Sequence, residues 1–493
     1  MSISFQRAAK RYAQALLDDN AALFAGAGLS IKAGFVSWAS LLRDIAEELG
    51  VDINSFSDLP SLAQFHLNQT GNRGGINQAL VEEFVRIAEE TESHRLIAGL
   101  PLRSIWTTNY DSLIEQAFQN AGKIVEVKRR PEDLTTTVRS RSAVVYKMHG
   151  DVTDLHRSVL TRDDYEQYDR ERGVFRSALE GDLIQKTFLF AGFSFDDPNI
   201  NFVLSKTRAA LRQSQREHYY LLRCVKRKDF EDIKNPNDAV RDQRFGYAKA
   251  LQDLRIADLS RYGIRSVLLD HYDQVLDFLR LVERIYRRNS VFISGAAEQF
   301  DPYEEQDSYA FIRDLASELV HKGFRIITGF GRGIGPSVVQ GVLQRVEQIR
   351  SNSLDRHLMA RPFPFHASEN ERKTLSRRYR LEMLKSAGIA IFVFGNKLDK
   401  KKIVDSSGMM EEFEVAKEYG IPCIAIGCTA GASKTIASSV LKDLGSADEH
   451  SPEWVKEFVA LDATKTLSEL DSKDIGLSNA SKLTIELCEA LRG

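Results

Sequence analysis

Asn109, Asp111 and His149 are the residues of this chain best suited to chemistry on a nucleotide, and each stands just after a short apolar run. Asn109-Tyr110-Asp111 follow the run 104–107. His149-Gly150-Asp151 follow 143–148. Gly192-Phe193-Ser194-Phe195-Asp196-Asp197-Pro198-Asn199 follow 187–191, and Gly26-Ala27-Gly28-Leu29-Ser30 follow 22–25. A histidine removes a proton from water or a ribose hydroxyl near neutral pH. An asparagine amide holds both through its donor and its acceptor. Glycines without Cβ atoms let a pyrophosphate approach the backbone, and a helix following them would aim its positive end there. Each residue also has a plainer reading. Asn109 and Asp111 fit turns or helix caps, as do Ser194 and Asp197; His149 fits a satisfied histidine at a strand end; a glycine-rich turn need bind nothing. What joins them is position: in a parallel sheet the carboxyl ends of strands gather at one edge, where ligands bind.

The elements that would hold them are short and regular. Candidate strands span 22–25, 104–107, 143–148, 187–191, 219–222 and 264–269, most of them nearly continuous apolar runs, as expected of strands buried on both faces. Helical periodicity separates them, for example over 38–49, 76–91 and 113–120. The expected class is α/β, with two Rossmann-like doubly wound domains. The pattern restarts near residue 290 with 290–295, 324–329, 389–394 and 423–427, each ending in or beside glycine. A helix over 275–288 closes the first domain, which puts the boundary between 1–286 and 287–493.

Composition narrows the class further. The chain has 493 residues, a formal net charge of −2 and no apolar run near the roughly 20 residues a membrane helix needs. No basic field points to nucleic acid. The first seventeen residues lack a long apolar core and read as an amphipathic helix, not a signal peptide. Cys224, Cys423, Cys428 and Cys488 form no CxxC pair, so neither a zinc site nor a disulfide framework is expected, and the expected compartment is the cytoplasm.

The second half carries its own glycine nest. Ser294-Gly295 close its first strand, and Gly329-Phe330-Gly331-Arg332-Gly333-Ile334-Gly335 close the second, before a helix starting near Pro336. From Glu371 to Lys402 ten Lys or Arg residues face three acids. A solvated helix face is the plain reading, but Lys397 lies just past a strand, well placed for a phosphate. Glu411 and Glu412, early in the next helix, could accept from ribose hydroxyls.

The first-half order resembles the sirtuin fold family over residues 10–285. The likeness rests on Gly26-Ala27-Gly28-Leu29-Ser30, Thr108-Asn109-Tyr110-Asp111, His149-Gly150 and Gly192-Phe193-Ser194. Deacetylase sirtuins add a zinc module with two CxxC pairs, which this chain lacks, so it departs from the deacylase pattern. The resemblance implies NAD+ as substrate, with no metal or other cofactor. NAD-binding residues would be Ala25, Gly26, Ala27, Gly28, Ser30, Asp111, Gly192 and Ser194, with Asp111 accepting from the nicotinamide carboxamide. His149 is then expected as general base and Asn109 as the residue placing water and ribose. Without a peptide groove, water is the acceptor; the alternative is a NAD-dependent protein deacylase or ADP-ribosyltransferase.

The second half resembles the SLOG family of nucleotide sensors. Its hydrolase branch uses P-G-G-x-G-T-x-x-E, and here Ser406-Ser407-Gly408-Met409-Met410-Glu411-Glu412 lacks the double glycine and the threonine, which argues for binding without hydrolysis. The two halves in this order are similar to the effectors of the Thoeris anti-phage system, through GAGLS, Asn72-Arg73-Gly74, WTTNYD, VVYKMHGDV, GFSFDDPN, RPFP at 361–364 and Gly395–Asp399. That likeness implies a homotetrameric NADase. Its activator would be a cyclic ADP-ribose isomer made by a TIR-domain partner and bound by Arg380, Lys397 and Glu412, with Ser294, Gly295, Phe330 and Gly331 lining the same cleft.

Overall fold

The computed structural model describes residues 2–35, 38–53, 56, 58–84, 88–212, 214–231, 238–350, 353–363 and 369–493, excepting the side chains of 155, 369–370 and 372–373. Residues 85–87 and Pro364 therefore lie outside the described residues, as do the side chains of Arg372 and Lys373. The chain divides into two compact units, 1–283 and 284–493.

The first unit is built on eight strands: β1 (Ser2–Ile3), β2 (Ala21–Ala25), β3 (Ser104–Thr107), β4 (Val125–Lys128), β5 (Ala143–Lys147), β6 (Thr187–Ala191), β7 (His218–Arg223) and β8 (Ile264–Leu269). They lie in the order β1-β8-β7-β6-β2-β3-β5-β4, all pairs parallel. All five residues of β2 are buried, which requires cover on both faces. On one face Ala22, Phe24 and Phe190 meet Phe175, Leu179 and Leu183 of the helix Tyr168–Gln185 and Ile200, Val203 and Leu204 of the helix Pro198–Leu211. From β2 the chain goes one way to β3, and it later returns to the other side of β2 as β6. The sheet therefore changes direction between β2 and β6, and a crevice opens outside their carboxyl ends.

Between β2 and β3 lies a helical module with its own apolar cluster. Leu41, Leu42, Ile45, Leu62, Ile76 and Leu80 pack together against Tyr110 and Leu160.

The second unit is a five-stranded parallel sheet, β11-β10-β9-β12-β15, formed by β9 (Ser290–Ala296), β10 (Arg325–Thr328), β11 (Leu358–Ala360), β12 (Ile389–Phe394) and β15 (Cys423–Ile426). A hairpin of β13 (Asn396–Asp399) and β14 (Lys402–Asp405) stands beside it. The direction changes between β9 and β12. Residues 451–493 form the helices Glu453–Ala460, Thr464–Leu470 and Leu477–Arg492, whose Trp454, Phe458, Leu470 and Cys488 belong to the core of this unit. That assigns the C-terminal stretch a packing role.

Several boundaries differ from the sequence expectation. The period over 38–49 is broken into Trp38–Leu41 and Arg43–Glu48. The helix expected over 76–91 is Gly74–Phe84, and Thr91 instead caps the next helix, Glu92–Gly99. Strands β1, β4, β11 and the β13–β14 hairpin were not foreseen. Edge strands of two to four residues carry too few alternating positions to show a period.

Candidate functional site

Strand register puts the two chemically apt residues on adjacent strand ends. Thr107 pairs with Lys147 across β3 and β5. Asn109 and His149 each stand two residues beyond that pair, on neighbouring strand ends that a parallel sheet spaces about 5 Å apart. Both are buried, as are Ser30 and Asp111. The Thr107 hydroxyl donates to the Ala25 carbonyl at 2.8 Å and accepts from the Asn109 N–H at 2.9 Å, fixing where the loop after β3 leaves the sheet.

Side chains then link two strand ends, those of β2 and β3. The Asn109 amide donates to Ser30 Oγ at 3.3 Å, and Ser30 Oγ donates to Asp111 Oδ2 at 2.8 Å. Asp111 Oδ1 also accepts from the Leu113 N–H at 3.1 Å, an Asx turn just ahead of the helix Leu113–Asn120, whose N-cap is Ser112; this is the turn reading of Asp111. The remaining Asn109 atom, Oδ1, is buried with no hydrogen-bond partner. Such an orphan acceptor costs about 1–3 kcal/mol. Left open in this way, the oxygen can still accept from a donor.

The loop after β6 completes the cluster. The Asp197 carboxylate caps the helix Pro198–Leu211 through Oδ1, which accepts from the N–H groups of Asn199 at 2.8 Å and Ile200 at 3.2 Å. Its Oδ2 lies 2.9 Å from His149 Nε2 and accepts from the Tyr165 hydroxyl at 3.3 Å. The His149–Asp197 approach is an ion-pair distance without the alignment of a full hydrogen bond. Burial pushes the Asp197 carboxyl up, but the His149 imidazole and the two capping N–H groups outweigh it and hold the group below the usual carboxylate range.

The glycines turn out to be needed for backbone contact between loops. A Cβ on Gly26 would strike the Gly192 carbonyl, one on Gly28 would lie 2.8 Å from Gly192 Cα, and one on Gly192, at φ +68°, would lie 2.5 Å from the Leu29 nitrogen. The N–H groups of Gly26 and Gly28 donate to the carbonyls of Ala191 and Gly192, both at 2.9 Å. They are therefore not turned toward a phosphate. The expected helix after this loop is also absent: Ala27–Leu29 and Ile31–Ala33 are single 3₁₀ turns, whose few aligned peptides supply little dipole. Gly192→Ala should lower stability by at least about 1–3 kcal/mol through overpacking and an unfavourable φ. A chemical denaturation midpoint measures it. Ser194, on the same loop, is exposed.

Sequence reasoning missed two participants. Lys147 is 1% exposed; its ammonium donates to the Asp111 carbonyl at 2.5 Å and stands 3.0 Å from Glu115 and 3.5 Å from Asp151. It ties the loop bearing Asn109 to the strand bearing His149. A charge inside the apolar run 143–148 was the available signal. Asp197 was read only as a cap, because one oxygen of a carboxylate capping a helix says nothing about the other.

In the second unit the expected residues also cluster. The Ser294 hydroxyl donates to Glu412 Oε2 at 2.5 Å, and Arg380 stands 3.5 Å from Glu412 and 2.6 Å from Glu411. The guanidinium lies over the Phe363 ring, 5.0 Å from its centre, and fits where a Cβ on Gly408 would sit 2.9 Å from it. Burial lifts the Glu412 carboxyl above its ordinary range, partly offset by Ser294 and Arg380. The Lys397 ammonium donates to Ser407 Oγ at 2.7 Å. Arg380 and Lys397 thus flank the start of the helix Ser407–Glu418, whose end favours an anion. Glu411 and Glu412 both pair with Arg380. Phe330 is exposed at φ +57°, and Gly331 packs its backbone on the Gly295 carbonyl. The helix Gly335–Gln348 starts with Pro336 in its first turn, as expected.

Among the described residues no group of three or more His, Cys, Asp or Glu is placed to hold a metal ion, and no helix is long and apolar enough to cross a membrane.

Comparison with known proteins agrees with this division. A SIR2-like domain model matches residues 103–241, the span of Asn109, His149 and Asp197. The model of the Sir2- and TIR-associating SLOG family matches 274–475, the span of Arg380, Lys397 and Glu412. A protein of Enterococcus faecium named NAD(+) hydrolase ThsA is 41% identical over 467 residues, 94% of this chain and 96% of that one. One of the same name from Bacillus cereus is 38% identical over 485 residues, 98% and 97% of the two chains. Another, from Acinetobacter baumannii, is 38% identical over 440 residues, 88% and 89%. With both domains matched and the alignments running nearly end to end, this chain belongs to the ThsA family, a sirtuin-like domain followed by a SLOG domain.

Proposed function

We propose that this chain hydrolyses NAD+ to nicotinamide and ADP-ribose in its first domain, 1–286, under the control of a nucleotide bound in the second, 287–493. The observation that carries the reading is the buried, unpartnered Asn109 Oδ1 just past the end of β3, next to the strand end that carries His149, in a chain whose full-length relatives are named NAD(+) hydrolases.

The chemistry asks little of such a site. The nicotinamide of NAD+ carries a positive charge and leaves as a neutral base, so no general acid is needed. The ribose C1′–N bond breaks through an oxocarbenium-like transition state, and the site must orient the ribose, meet positive charge and activate a nucleophile. Asn109 holds the water or a ribose hydroxyl with Oδ1 as acceptor. His149 takes the proton. Asp111 faces the carboxamide, with lone pairs to spare after Ser30 and Leu113. Ala25, Gly26, Ala27, Gly28, Ser30, Gly192 and Ser194 line the dinucleotide.

In the second domain Arg380 and Lys397 meet phosphate, and Glu412 with Ser294 meets hydroxyls; Gly295, Phe330 and Gly331 shape the cleft. The proposed ligand is a cyclic ADP-ribose isomer supplied by a TIR-domain partner. The proposed setting is anti-phage defence by NAD+ depletion, in the cytoplasm, as a homotetramer. A hydrolase of this kind must rest until signalled, so the ligand must bind the active arrangement more tightly than the resting one.

The test is nicotinamide release from NAD+ by purified protein, with and without cyclic ADP-ribose isomers. Turnover in water that rises with one isomer is expected. Release that depends instead on an added acyl-peptide or protein acceptor would replace hydrolysis by deacylation or ADP-ribosyl transfer.

A further inference from the structure

The pairing of Asp197 with His149 has a purpose beyond capping. A helix cap needs one acceptor oxygen, and Asp197 Oδ1 serves both Asn199 and Ile200. Oδ2 is free of that duty. It is buried against the His149 ring, 2.9 Å from Nε2. The Tyr165 hydroxyl donates to the same oxygen at 3.3 Å, and the Tyr165 ring meets the His149 ring edge-on, with centres 5.6 Å apart. Burial raises the Tyr165 hydroxyl well above its ordinary range, so it stays protonated and keeps donating. Tyr110 and Tyr168 are buried nearby and likewise protonated. The adjacent cations are engaged elsewhere: Arg172 donates to the carbonyls of Arg129 and Arg157, and Arg176 is bound to Asn199 and Asp169. The one full negative charge that these contacts set against the imidazole is Asp197.

We propose that Asp197 is the positioning residue of the proposed hydrolase: its charge, 2.9 Å from Nε2 though off the line of a full hydrogen bond, favours the proton on Nε2 and leaves Nδ1 as the base. This rests on the hydrolase reading above. In the step itself the O–H bond of water or ribose hydroxyl breaks and an N–H bond forms at Nδ1. The ring becomes an imidazolium, and its new positive charge is met by the Asp197 carboxylate. The carboxylate keeps its own charge and takes no proton. The arrangement follows the general logic of a base oriented by a buried acid.

Asparagine separates this role from capping. Asn is as good a helix cap as Asp. In Asp197→Asn the amide oxygen continues to cap while the NH₂ faces Nε2, which must then accept, driving the proton to Nδ1 and disabling the base. The expected result is a fall in kcat of about 100-fold or more, in line with general-base loss, with KM changed by less than about threefold and a smaller drop in melting temperature than in Asp197→Ala, since the cap is kept while the charge is lost. Asp197→Ala loses both charge and cap, and should lose kcat and stability together. A second readout needs no turnover: ¹⁵N shifts of the His149 ring, assigned with His149→Asn, should show the Nε2–H form in the unaltered chain and the Nδ1–H form in Asp197→Asn. An Nδ1–H ring in the unaltered chain overturns the proposal, as does an Asp197→Asn enzyme with kcat within about threefold of the original. An unaltered chain that shows the Nε2–H ring but never turns over NAD+ would sink the hydrolase reading and leave the pairing in place.

Discussion

Replacing Asn109 with alanine should reduce NAD+ hydrolysis by at least about 100-fold while leaving the protein as stable as before, or more so. The two halves of that result come from the same atom. Oδ1 is buried without a partner, a standing cost of about 1–3 kcal/mol in the folded protein. Removing the amide abolishes that cost, and it sacrifices only the 3.3 Å bond to Ser30, whose hydroxyl keeps its stronger contact with Asp111. Loss of orientation for water and ribose, by contrast, falls wholly on the rate, where misplacement of a reacting group by about 1 Å costs on the order of 100-fold. Thermal unfolding measured beside nicotinamide release checks both halves. A variant that is much less stable and proportionately less active would show Asn109 to be a structural turn residue. His149→Ala should show the same loss of rate.

Arg380→Ala should move the response to the activating nucleotide to about 10- to 100-fold higher concentration. Arg380 is the centre of the second-domain cluster: it touches Glu411 and Glu412, lies over Phe363, and occupies the space that Gly408 leaves. Charge-assisted hydrogen bonds to phosphate are worth about 1.5–3 kcal/mol, so losing the guanidinium should weaken ligand binding by about 10- to 100-fold. The loss also strands Glu412, whose carboxyl burial already lifts above its ordinary range. It should then fill with a proton rather than remain charged. Titration calorimetry with a cyclic ADP-ribose isomer reads the affinity, and NAD+ turnover reads the activation. Lys397→Ala should weaken binding less, because its ammonium is more exposed and its partner is a serine hydroxyl. An Arg380→Ala protein that binds and responds as before would remove the sensor assignment and leave the hydrolase standing.

Much of this molecule was legible without coordinates. The strands β2, β6 and β12 announce themselves as apolar runs of four to six residues, because a strand buried on both faces has no polar side to show. The polar residues after them read as a site because a parallel sheet delivers its strand ends to one edge. That inference survives ignorance of strand order, since any order would bring Asn109 and His149 to the same rim. The amphipathic helices Phe5–Leu17, Leu113–Asn120 and Gln274–Arg287 were equally plain, each with one apolar stripe.

What the chain alone determined, then, was the class of fold, the rim on which chemistry would gather and the residue types found there. Tertiary structure decided which atoms meet. Only the pairing of β3 with β5 makes the strand ends carrying Asn109 and His149 neighbours, and only the packing of the loops after β2 and β6 shows that Gly26, Gly28 and Gly192 serve backbone contact. The partnership of His149 with Asp197 joins residues 48 positions apart through a helix cap, and Lys147 reaches a loop 36 positions earlier. The reason is physical. Burial and strand periodicity are local properties that each segment carries in its own composition, whereas the direction of a polar side chain is set by neighbours that the chain brings near only after it has folded.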